Sequence, residues 1–348
     1  MLRVGIVGCG TIAQRRHIPE FAANPHCKLT AFWSYTPGKA EKLAQQHDAV
    51  GYTDLDAFLD SGLDVIAVCS TNATHAEITV KALDKGIHVL CEKPMATTME
   101  ECEAMVAAAK RNGKKLMIAQ NQRFASVHQE ARKRIAAGEI GELLTFDSVY
   151  GHAGPEDWLG SANPWFFDKE KSVFGCMADI GIHKTDLLHY LLGEPIVKVS
   201  AVLRTMDKKY PNGELIAVDD NAFCLYQTVS GIPGTLHVSW TQYGTEINST
   251  VIQGTKGVIR CYDDPEYDFI LEKFGGETVK LQLGMAMTNE EQRAGKLVNS
   301  GVIDSFVESI VNDTEPAVSG EEAFKAMKVI FAAVESNATG KTVDIEQN

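Results

Sequence analysis

The start of the chain holds the pattern that most constrains its fold. An apolar run, Leu2–Val7, leads into Gly8-Cys9-Gly10-Thr11-Ile12-Ala13, and a helical pattern continues to about Ala23. A glycine turn between a strand and a helix predicts a βαβ unit that binds a dinucleotide, because such a turn is tight and lets a pyrophosphate approach the backbone. The helix N-terminus adds N–H groups that favour phosphate. We therefore assign cofactor contacts to Gly8, Gly10, Thr11 and Ile12.

The alternation of strands and helices continues through the first third of the chain. Strand patterns at 29–34, 64–69, 87–91 and 115–119 are separated by helical stretches, which predicts a doubly wound parallel sheet. Ligands bind such sheets beyond the carboxyl ends of the strands. The polar residues expected at that edge are Ser70, Thr71, Asn72, Glu92, Lys93, Asn121 and Arg123. His75, one turn into the next helix, is assigned to the cofactor as well, and structural capping stays an open alternative.

The end of the second strand bears on the choice of cofactor. An acidic residue there would bind the adenosine ribose of NAD, but the sequence reads Ser34-Tyr35-Thr36-Pro37-Gly38-Lys39. Ser34 offers a hydroxyl and Lys39 a positive charge, which suit the 2′-phosphate of NADP. The sequence favours NADP over NAD, and a merely solvated Lys39 is the alternative.

Length, charge and cysteines exclude several classes of protein. A chain of 348 residues exceeds a single core, and its net charge of −13 argues against nucleic acid or an anionic membrane as partner. We find no secretory signal and no transmembrane span. The eight cysteines are scattered without zinc-binding spacing, which predicts no metal site and fits a reducing cytoplasm.

A polar triad lies in the middle of the chain. Asp179, His183 and Asp186 are spaced i, i+4, i+7 and would share one face of a helix that runs from about Gly175. They could form a proton-transfer site, part of a metal site, or a structural polar face. A long loop rich in aromatic residues, 152–174, precedes the triad. Its Trp165 could pack against a ligand or cover a hydrophobic edge.

The second half of the chain reads differently from the first. Consecutive strand patterns from 198 to 282, without helices between them, predict a mostly antiparallel sheet that can leave one face open. Helical patterns at about 289–312 and 321–339 close the chain. We predict an α/β protein with a Rossmann domain at 1–122 and an α+β domain at 123–348.

Several of these segments together resemble the Gfo/Idh/MocA family of NAD(P)-dependent oxidoreductases. The resemblance covers the chain from the first strand to its end. The segments that carry it are Gly8–Ala13, Ser70-Thr71-Asn72 with His75, Glu92-Lys93-Pro94, Asn121-Gln122-Arg123-Phe124, Gly175 through Asp186, Val218–Asn221, Gly254–Gly257, Ile303–Phe306 and Pro316–Gly320.

The resemblance implies roles for individual residues. Lys93 would lie by the nicotinamide and the substrate, His183 would exchange the proton, Asp179 would contact substrate, and Asp186 would lie nearby and support the site. The open sheet of the second domain would pair subunits into a homodimer or homotetramer.

The function predicted from the sequence is hydride transfer between NAD(P) and a carbinol or carbonyl carbon of a sugar, sugar derivative or cyclitol. Lys93, His183 and Asp179 would be catalytic, and Asp179, Trp165 and Asp186 would bind the polyhydroxylated substrate. Three alternatives stay open: a non-sugar substrate resembling a dihydrodiol or a tetrapyrrole, a catalytically silent NAD(P)-binding regulator, and a metal enzyme using Asp179, His183 and Asp186.

Overall fold

The computed structural model describes residues 1–284 and 299–346. These fall into two compact units, one made of residues 1–120 with 299–324 and the other of residues 121–284 with 325–346. A segment close to the C-terminus thus belongs to the first unit. The functional division at residue 122 stays a prediction.

The first unit contains a six-stranded, wholly parallel sheet in the order β3-β2-β1-β4-β5-β6. This confirms the predicted doubly wound sheet. The edge strand β3 was not predicted from the sequence, because three residues around a glycine form no recognisable apolar run. The strands are β1 (Leu2–Val7), β2 (Cys27–Trp33), β3 (Val50–Tyr52), β4 (Val65–Val68), β5 (His88–Cys91) and β6 (Leu116–Ile118).

Helices connect these strands near the positions that the sequence predicts. They are the π-helix Ala13–His17 followed by α1 (Ile18–Ala23), α2 (Lys39–Gln46), α3 (Leu55–Leu59), the 3₁₀ turn Asn72–Thr74 followed by α4 (His75–Asp84), and α5 (Met99–Asn112). The start of α5 is fixed by a capping box. The Thr98 hydroxyl accepts from the Glu101 N–H at 3.2 Å, and the Glu101 carboxylate accepts from the Thr98 N–H at 3.2 Å.

The second unit contains a nine-stranded sheet in the order β14-β13-β12-β11-β7-β10-β9-β8-β15. The β7–β10 pair is parallel and the other pairs are antiparallel, which confirms the predicted mostly antiparallel sheet. Its strands are β7 (Leu143–Gly151), β8 (Ile196–Arg204), β9 (Asn221–Thr228), β10 (Pro233–Ser239), β11 (Thr250–Gly254), β12 (Gly257–Cys261), β13 (Phe269–Lys273), β14 (Thr278–Leu281) and β15 (Val343–Asp344).

One face of this sheet is open where β8 and β9 lie. Along β9 the side chains alternate, with Ala222, Cys224 and Tyr226 buried and Phe223 and Leu225 exposed. Burial of alternate residues is the pattern of a sheet covered on one side. The uncovered side carries apolar side chains, as the prediction of an open-faced sheet requires.

Helices and short turns complete the second unit. They are the 3₁₀ turn Asn121–Phe124, α6 (Ser126–Ala136), α7 (Pro155–Leu159), the 3₁₀ turn Trp165–Phe167, α8 (Lys169–Ser172), the π-helix Met177–Gly181 and α9 (Ile182–Leu192). The predicted long loop is therefore divided into short helical turns.

Residues 299–346 include the helices α10 (Val302–Val311) and α11 (Gly320–Thr339). Part of the first predicted C-terminal helix, 289–298, lies outside the described residues.

Candidate functional site

The glycine turn after β1 fits a pyrophosphate. Gly8 has a φ of +86°, and a Cβ there would lie 2.6 Å from the Cys69 carbonyl oxygen, so only glycine fits. A Cβ on Gly10 would meet nothing within 4 Å, which leaves open space beside the backbone where a helix begins. Thr11 and Ile12 follow, partly exposed. This is the cradle that the dinucleotide-binding pattern requires.

Two opposite charges lie near this turn. Burial raises the pKa of the Cys9 thiol to about 11, the positive charge of Lys39 opposes that rise, and the negative charge of Glu41 adds to it. Both side chains therefore lie close enough to affect the residue between the two glycines. Ser34 is buried, and its hydroxyl oxygen accepts from the Thr36 N–H at 3.1 Å. Ser34 and Lys39 were predicted from the sequence, whereas Glu41, in the first turn of α2, was not.

The segment after β4 is held by a buried histidine. The Thr74 hydroxyl donates to the Ser70 hydroxyl at 2.7 Å, and Thr71 and Asn72 complete this turn. His75 is 1 % exposed, and its Nδ1 and Nε2 lie 2.8 Å and 3.2 Å from the carbonyl oxygens of Pro94 and Ser70. Both ring nitrogens contact the protein's own backbone. His75 therefore joins two segments at the ligand-binding edge, which favours the structural alternative over direct cofactor contact.

The segment after β5 carries Lys93 between two anchored neighbours. The Glu92 carboxylate lies 2.7 Å from His17 Nε2 and accepts from the Lys93 N–H at 3.2 Å. Burial alone would raise the pKa of Glu92, but the His17 hydrogen bond and nearby positive charges lower it to about 2. Glu92 is thus an ionised internal anchor with its two oxygens already engaged. Glu92 therefore holds the backbone of Lys93, whose side chain is half-buried, and its direct contact with the cofactor stays a prediction.

In the second unit, Asp219 anchors the segment that leads into the polar triad. Its carboxylate accepts from the N–H groups of Gly175 and Met177 at 3.0 Å and 2.8 Å and from the Cys176 thiol at 3.3 Å. A Cβ on Gly175 would lie 1.8 Å from the Asp219 carbonyl oxygen, so glycine is required there. This contact fixes the start of the π-helix Met177–Gly181.

Asp179 lies within that π-helix, not in the regular helix that the sequence predicted. A π-helix is wider than an α-helix, so spacing alone did not place Asp179 relative to His183 and Asp186. Its carboxylate accepts from the indole N–H of Trp240 at 3.1 Å, and it keeps 8 % exposure. The sequence analysis missed Trp240, a single aromatic residue just beyond a strand.

Trp240 connects Asp179 to the aromatic loop. Its ring lies 6.3 Å from Phe166, edge to face, and Phe166 stacks on the predicted ligand residue Trp165 at 4.0 Å. Trp158 meets the same Phe166 ring at 5.5 Å. The half-exposed Trp165–Phe166 pair is therefore linked to the Asp179 carboxylate through Trp240. We call the four residues Trp158, Trp165, Phe166 and Trp240 the aromatic cluster.

His183 and Asp186 lie in α9 in different surroundings. His183 is 8 % exposed, whereas Asp186 is fully buried. The Asp186 carboxylate accepts from Arg123 Nε and Nη2 at 2.7 Å and 2.6 Å. The two groups therefore form a buried ion pair, and the substrate contact of Asp186 and the cofactor contact of Arg123 stay predictions. Asn121, also assigned to the cofactor, is buried in the same 3₁₀ turn as Arg123.

The geometry does not support the metal alternative. Asp186 has a buried cationic partner, and Asp179 has an indole partner. Within residues 1–284 and 299–346, no group of three or more His, Cys, Asp or Glu side chains is arranged to hold a metal ion. The same residues contain no helix long and apolar enough to cross a membrane.

Sequence comparisons agree with this architecture. Residues 2–120 match the family model described as "Oxidoreductase family, NAD-binding Rossmann fold", and residues 128–260 match the "GFO/IDH/MocA C-terminal domain". These matches cover both the glycine turn and the triad.

Individual relatives are sugar dehydrogenases. The chain is 35% identical to the D-glucoside 3-dehydrogenase of Escherichia coli (strain K12) over 200 residues, which are 57% of this chain and 56% of that protein. It is 32% identical over 293 residues to the levoglucosan dehydrogenase of Pseudarthrobacter phenanthrenivorans, covering 74% of this chain and 73% of the relative. A solved structure of levoglucosan dehydrogenase in complex with NADH superposes with a TM-score of 0.86 at 25% identity and covers 100% of both chains.

These findings confirm the predicted family, fold class and oxidoreductase class, with sugar dehydrogenases as relatives. By both domain matches and the levoglucosan dehydrogenase alignment, the chain belongs to the Gfo/Idh/MocA family of NAD(P)-binding oxidoreductases.

Proposed function

We propose that this protein is a dehydrogenase or reductase that moves a hydride between NAD(P) and a carbinol or carbonyl carbon of a pyranose sugar or glycoside. One observation carries the proposal. Lys93 lies at the carboxyl end of β5 in an NAD-binding sheet, and its backbone is anchored on one side through Glu92 and on the other through the Pro94 carbonyl. A positioned ammonium group of this kind stabilises negative charge that develops on a substrate oxygen.

The chain's own residues would handle the proton and the charge. His183 accepts the hydroxyl proton on oxidation and returns it on reduction, and Lys93 stabilises the oxygen from which that proton leaves. Asp179 orients a neighbouring hydroxyl group, with its own carboxylate steadied by Trp240. The bound nicotinamide supplies the hydride acceptor or donor. General acid–base catalysis of this kind contributes about 10²- to 10⁴-fold in rate.

The aromatic cluster supports a sugar ring as substrate. The Trp165–Phe166 stack is half-exposed, and the Phe166–Trp240 contact and the Trp240–Asp179 hydrogen bond link it to a carboxylate. A flat aromatic surface suits the apolar face of a pyranose, and a carboxylate accepts hydrogen bonds from its hydroxyl groups. Two relatives, a glucoside dehydrogenase and a levoglucosan dehydrogenase, act on the same class of substrate.

A substrate panel tests this proposal. The purified protein is incubated with NAD or NADP and with methyl β-D-glucopyranoside, levoglucosan, glucose, myo-inositol, scyllo-inositol, a dihydrodiol and a linear tetrapyrrole, and the reduced cofactor is followed by its absorbance. We expect the glycoside or the anhydro-sugar to react fastest. Turnover only on a dihydrodiol or a linear tetrapyrrole would move the substrate out of the sugar class. Tight cofactor binding without turnover on any compound would favour a catalytically silent regulator.

The preferred cofactor belongs to the proposal too. We infer a preference for NADP from the absence of an acid directly after β2 and from the proximity of Lys39 to the glycine turn. The negative charge of Glu41 near the same turn and the NADH complex of levoglucosan dehydrogenase favour NAD instead. Comparing the thermal shifts that NAD and NADP produce decides between them.

We also propose that the protein forms an oligomer and lies in the cytoplasm. The exposed Val202, Phe223 and Leu225 on the open sheet face support pairing with a second copy of the chain as a dimer or tetramer. Light scattering at several protein concentrations tests this. A cytoplasmic location is supported by the eight cysteines, all of which are buried and free of disulfide bonds.

A further inference from the structure

We infer that Lys184 is a positioning residue for His183, because it ties the start of α9 to the chain segment at 248–250. The inference rests on the proposed role of His183 and assigns a function to a neighbouring residue that has no part in the reaction steps above. Three observations support it: Lys184 makes three hydrogen bonds, its side chain is completely buried, and Asp186 anchors the same helix two residues later.

The Lys184 side chain bonds one short segment of the chain. Its Nζ donates to the carbonyl oxygens of Asn248 and Ser249 at 3.1 Å and 3.0 Å and lies 3.0 Å from the Thr250 hydroxyl. The side chain is fully buried. Within the described residues its hydrogen-bond partners include no carboxylate. Three acceptors satisfy the three N–H groups of an ammonium.

The segment that receives these bonds is itself fixed. The Asn248 side chain donates to Gln122 Oε1 at 3.3 Å, and the Thr250 hydroxyl lies 3.1 Å from the Ser148 hydroxyl on β7. Lys184 therefore connects α9 to a rigid part of the sheet. Two residues later, Asp186 connects the same helix to Arg123. His183 directly precedes the first of these two anchors, so its direction depends on them.

A purely packing role would not need a charge at this position. Burying an ammonium without a carboxylate is unfavourable, and an apolar side chain of similar length would fill the same volume without that penalty. The directed hydrogen bonds are what an apolar side chain lacks. They set the rotation of the helix turn that carries His183.

The surroundings also let Lys184 change its protonation state without losing this contact. Burial lowers the pKa of Lys184 to about 7. The neutral amine can still donate to both carbonyl groups and accept from the Thr250 hydroxyl, which is free to reverse because it shares a hydrogen bond with Ser148.

Two titratable side chains near Lys184 keep one charge state around neutral pH. Burial, with the charge of Lys184, lowers the pKa of His128 to about 3, and burial raises the pKa of Cys261 to about 12. The Tyr150 ring centroid lies 6.0 Å from Nζ and presents a π face to the cation. Neither His128 nor Cys261 therefore titrates together with Lys184 near neutral pH.

The test compares K184M with T185V. Thr185 is the next residue on the helix, is equally buried, and contacts the Tyr226 hydroxyl at 3.2 Å but not residues 248–250, so T185V controls for a general loss of helix stability. With levoglucosan as probe, we expect K184M to lower kcat about 10- to 100-fold while the Kd for the reduced cofactor stays within about 2-fold. T185V should retain kcat within about 3-fold at a comparable loss of stability.

A second readout does not depend on turnover. The His183 ring signal, assigned with H183N, is compared by NMR at one pH in the wild type, K184M and T185V. We expect K184M to shift this signal more than T185V does, because the helix turn that carries His183 then loses its three hydrogen bonds to residues 248–250. T250V, which removes one of the three contacts, serves if K184M does not fold, and it should shift the signal by a smaller amount.

The outcomes separate this inference from the proposed function. If wild-type protein turns over no panel sugar but the NMR result holds, the proposed function fails and the positioning role stands. An unchanged His183 signal in folded K184M or T250V, or equal losses of kcat in K184M and T185V, would overturn the positioning role.

Discussion

His17 Nε2 lies 2.7 Å from the Glu92 carboxylate, and this buried contact links the helix after the glycine turn to the segment that carries Lys93. Glu92 also accepts from the Lys93 N–H. The residue expected to stabilise the substrate oxygen is therefore held by the same helix whose N-terminus is expected to bind the pyrophosphate. Lys93 and the cofactor cradle share one internal anchor within the first unit.

This anchor predicts how stability depends on pH. The ordinary pKa of 4.5 falls to about 2 at Glu92. A carboxylate with a lowered folded-state pKa contributes stability above its ordinary pKa and loses it as the pH falls towards the folded value. At neutral pH this contribution is roughly 3 kcal/mol.

We expect E92Q to be less stable than the wild type at pH 7 and the difference to shrink between about pH 5 and pH 2. Urea unfolding at several pH values measures this. The matched control is E77Q, because Glu77 pairs with Lys81 on an exposed helix surface. A gap between wild type and E92Q that stays constant with pH would contradict the ionised anchor.

The Asp186–Arg123 pair should behave as a buried ion pair. Removing one partner leaves an uncompensated buried charge, so R123M should lower the free energy of unfolding by about 3–5 kcal/mol. The double variant R123M/D186L should recover much of that loss, because neither charge then remains buried. Urea unfolding of both variants checks this. Equal losses in the single and double variants would show that the two charges are not coupled.

The choice of cofactor should depend on Lys39. If it contacts the 2′-phosphate, K39A should raise the KM for NADP about 10-fold and leave the KM for NAD unchanged. K42A, on the same exposed helix, is the matched control. E41Q tests the opposite assignment, in which Glu41 binds the adenosine ribose of NAD. A selective loss of NAD affinity in E41Q, with no effect of K39A, would assign the ribose contact to Glu41 and overturn the NADP preference.

The aromatic cluster should contribute to sugar affinity. Replacing Trp165 with alanine removes one half of its stack with Phe166, and we expect the KM for levoglucosan to rise about 3- to 10-fold with a smaller change in kcat. F274A is the control, because Phe274 is 90 % exposed and lies on a hairpin outside the cluster. Equal effects of W165A and F274A would remove Trp165 from the binding surface.

The parallel sheet was predictable because its signals are local. Buried strands in a parallel sheet are continuous apolar runs, and glycine and polar residues mark their ends. The same rule identified the edge that gathers Gly8, Ser34, Ser70 and Lys93. Strands β3 and β15 escaped prediction because Val50–Tyr52 is interrupted by a glycine and Val343–Asp344 has only two residues, so neither forms an apolar run.

The spacing of residues along the sequence could not predict which side chains bond one another. The i, i+4, i+7 pattern assumed a regular helix, but Asp179 lies in a π-helix and bonds Trp240, whereas Asp186 bonds Arg123. Contacts such as Trp240–Asp179 and Asp219–Met177 join residues that are far apart in sequence. A single sequence records neither the width of a helix turn nor such long-range contacts, so three apparently equal residues separate only in the structure.

The turnover rate of H183A is the most direct test of proton transfer by His183. The variant is assayed on the best panel sugar with the preferred cofactor, together with reduced-cofactor binding by fluorescence and folding by circular dichroism. We predict that kcat falls about 10²- to 10⁴-fold while the cofactor Kd and the folding signal match the wild type. Near-wild-type turnover by folded H183A would contradict proton transfer by His183.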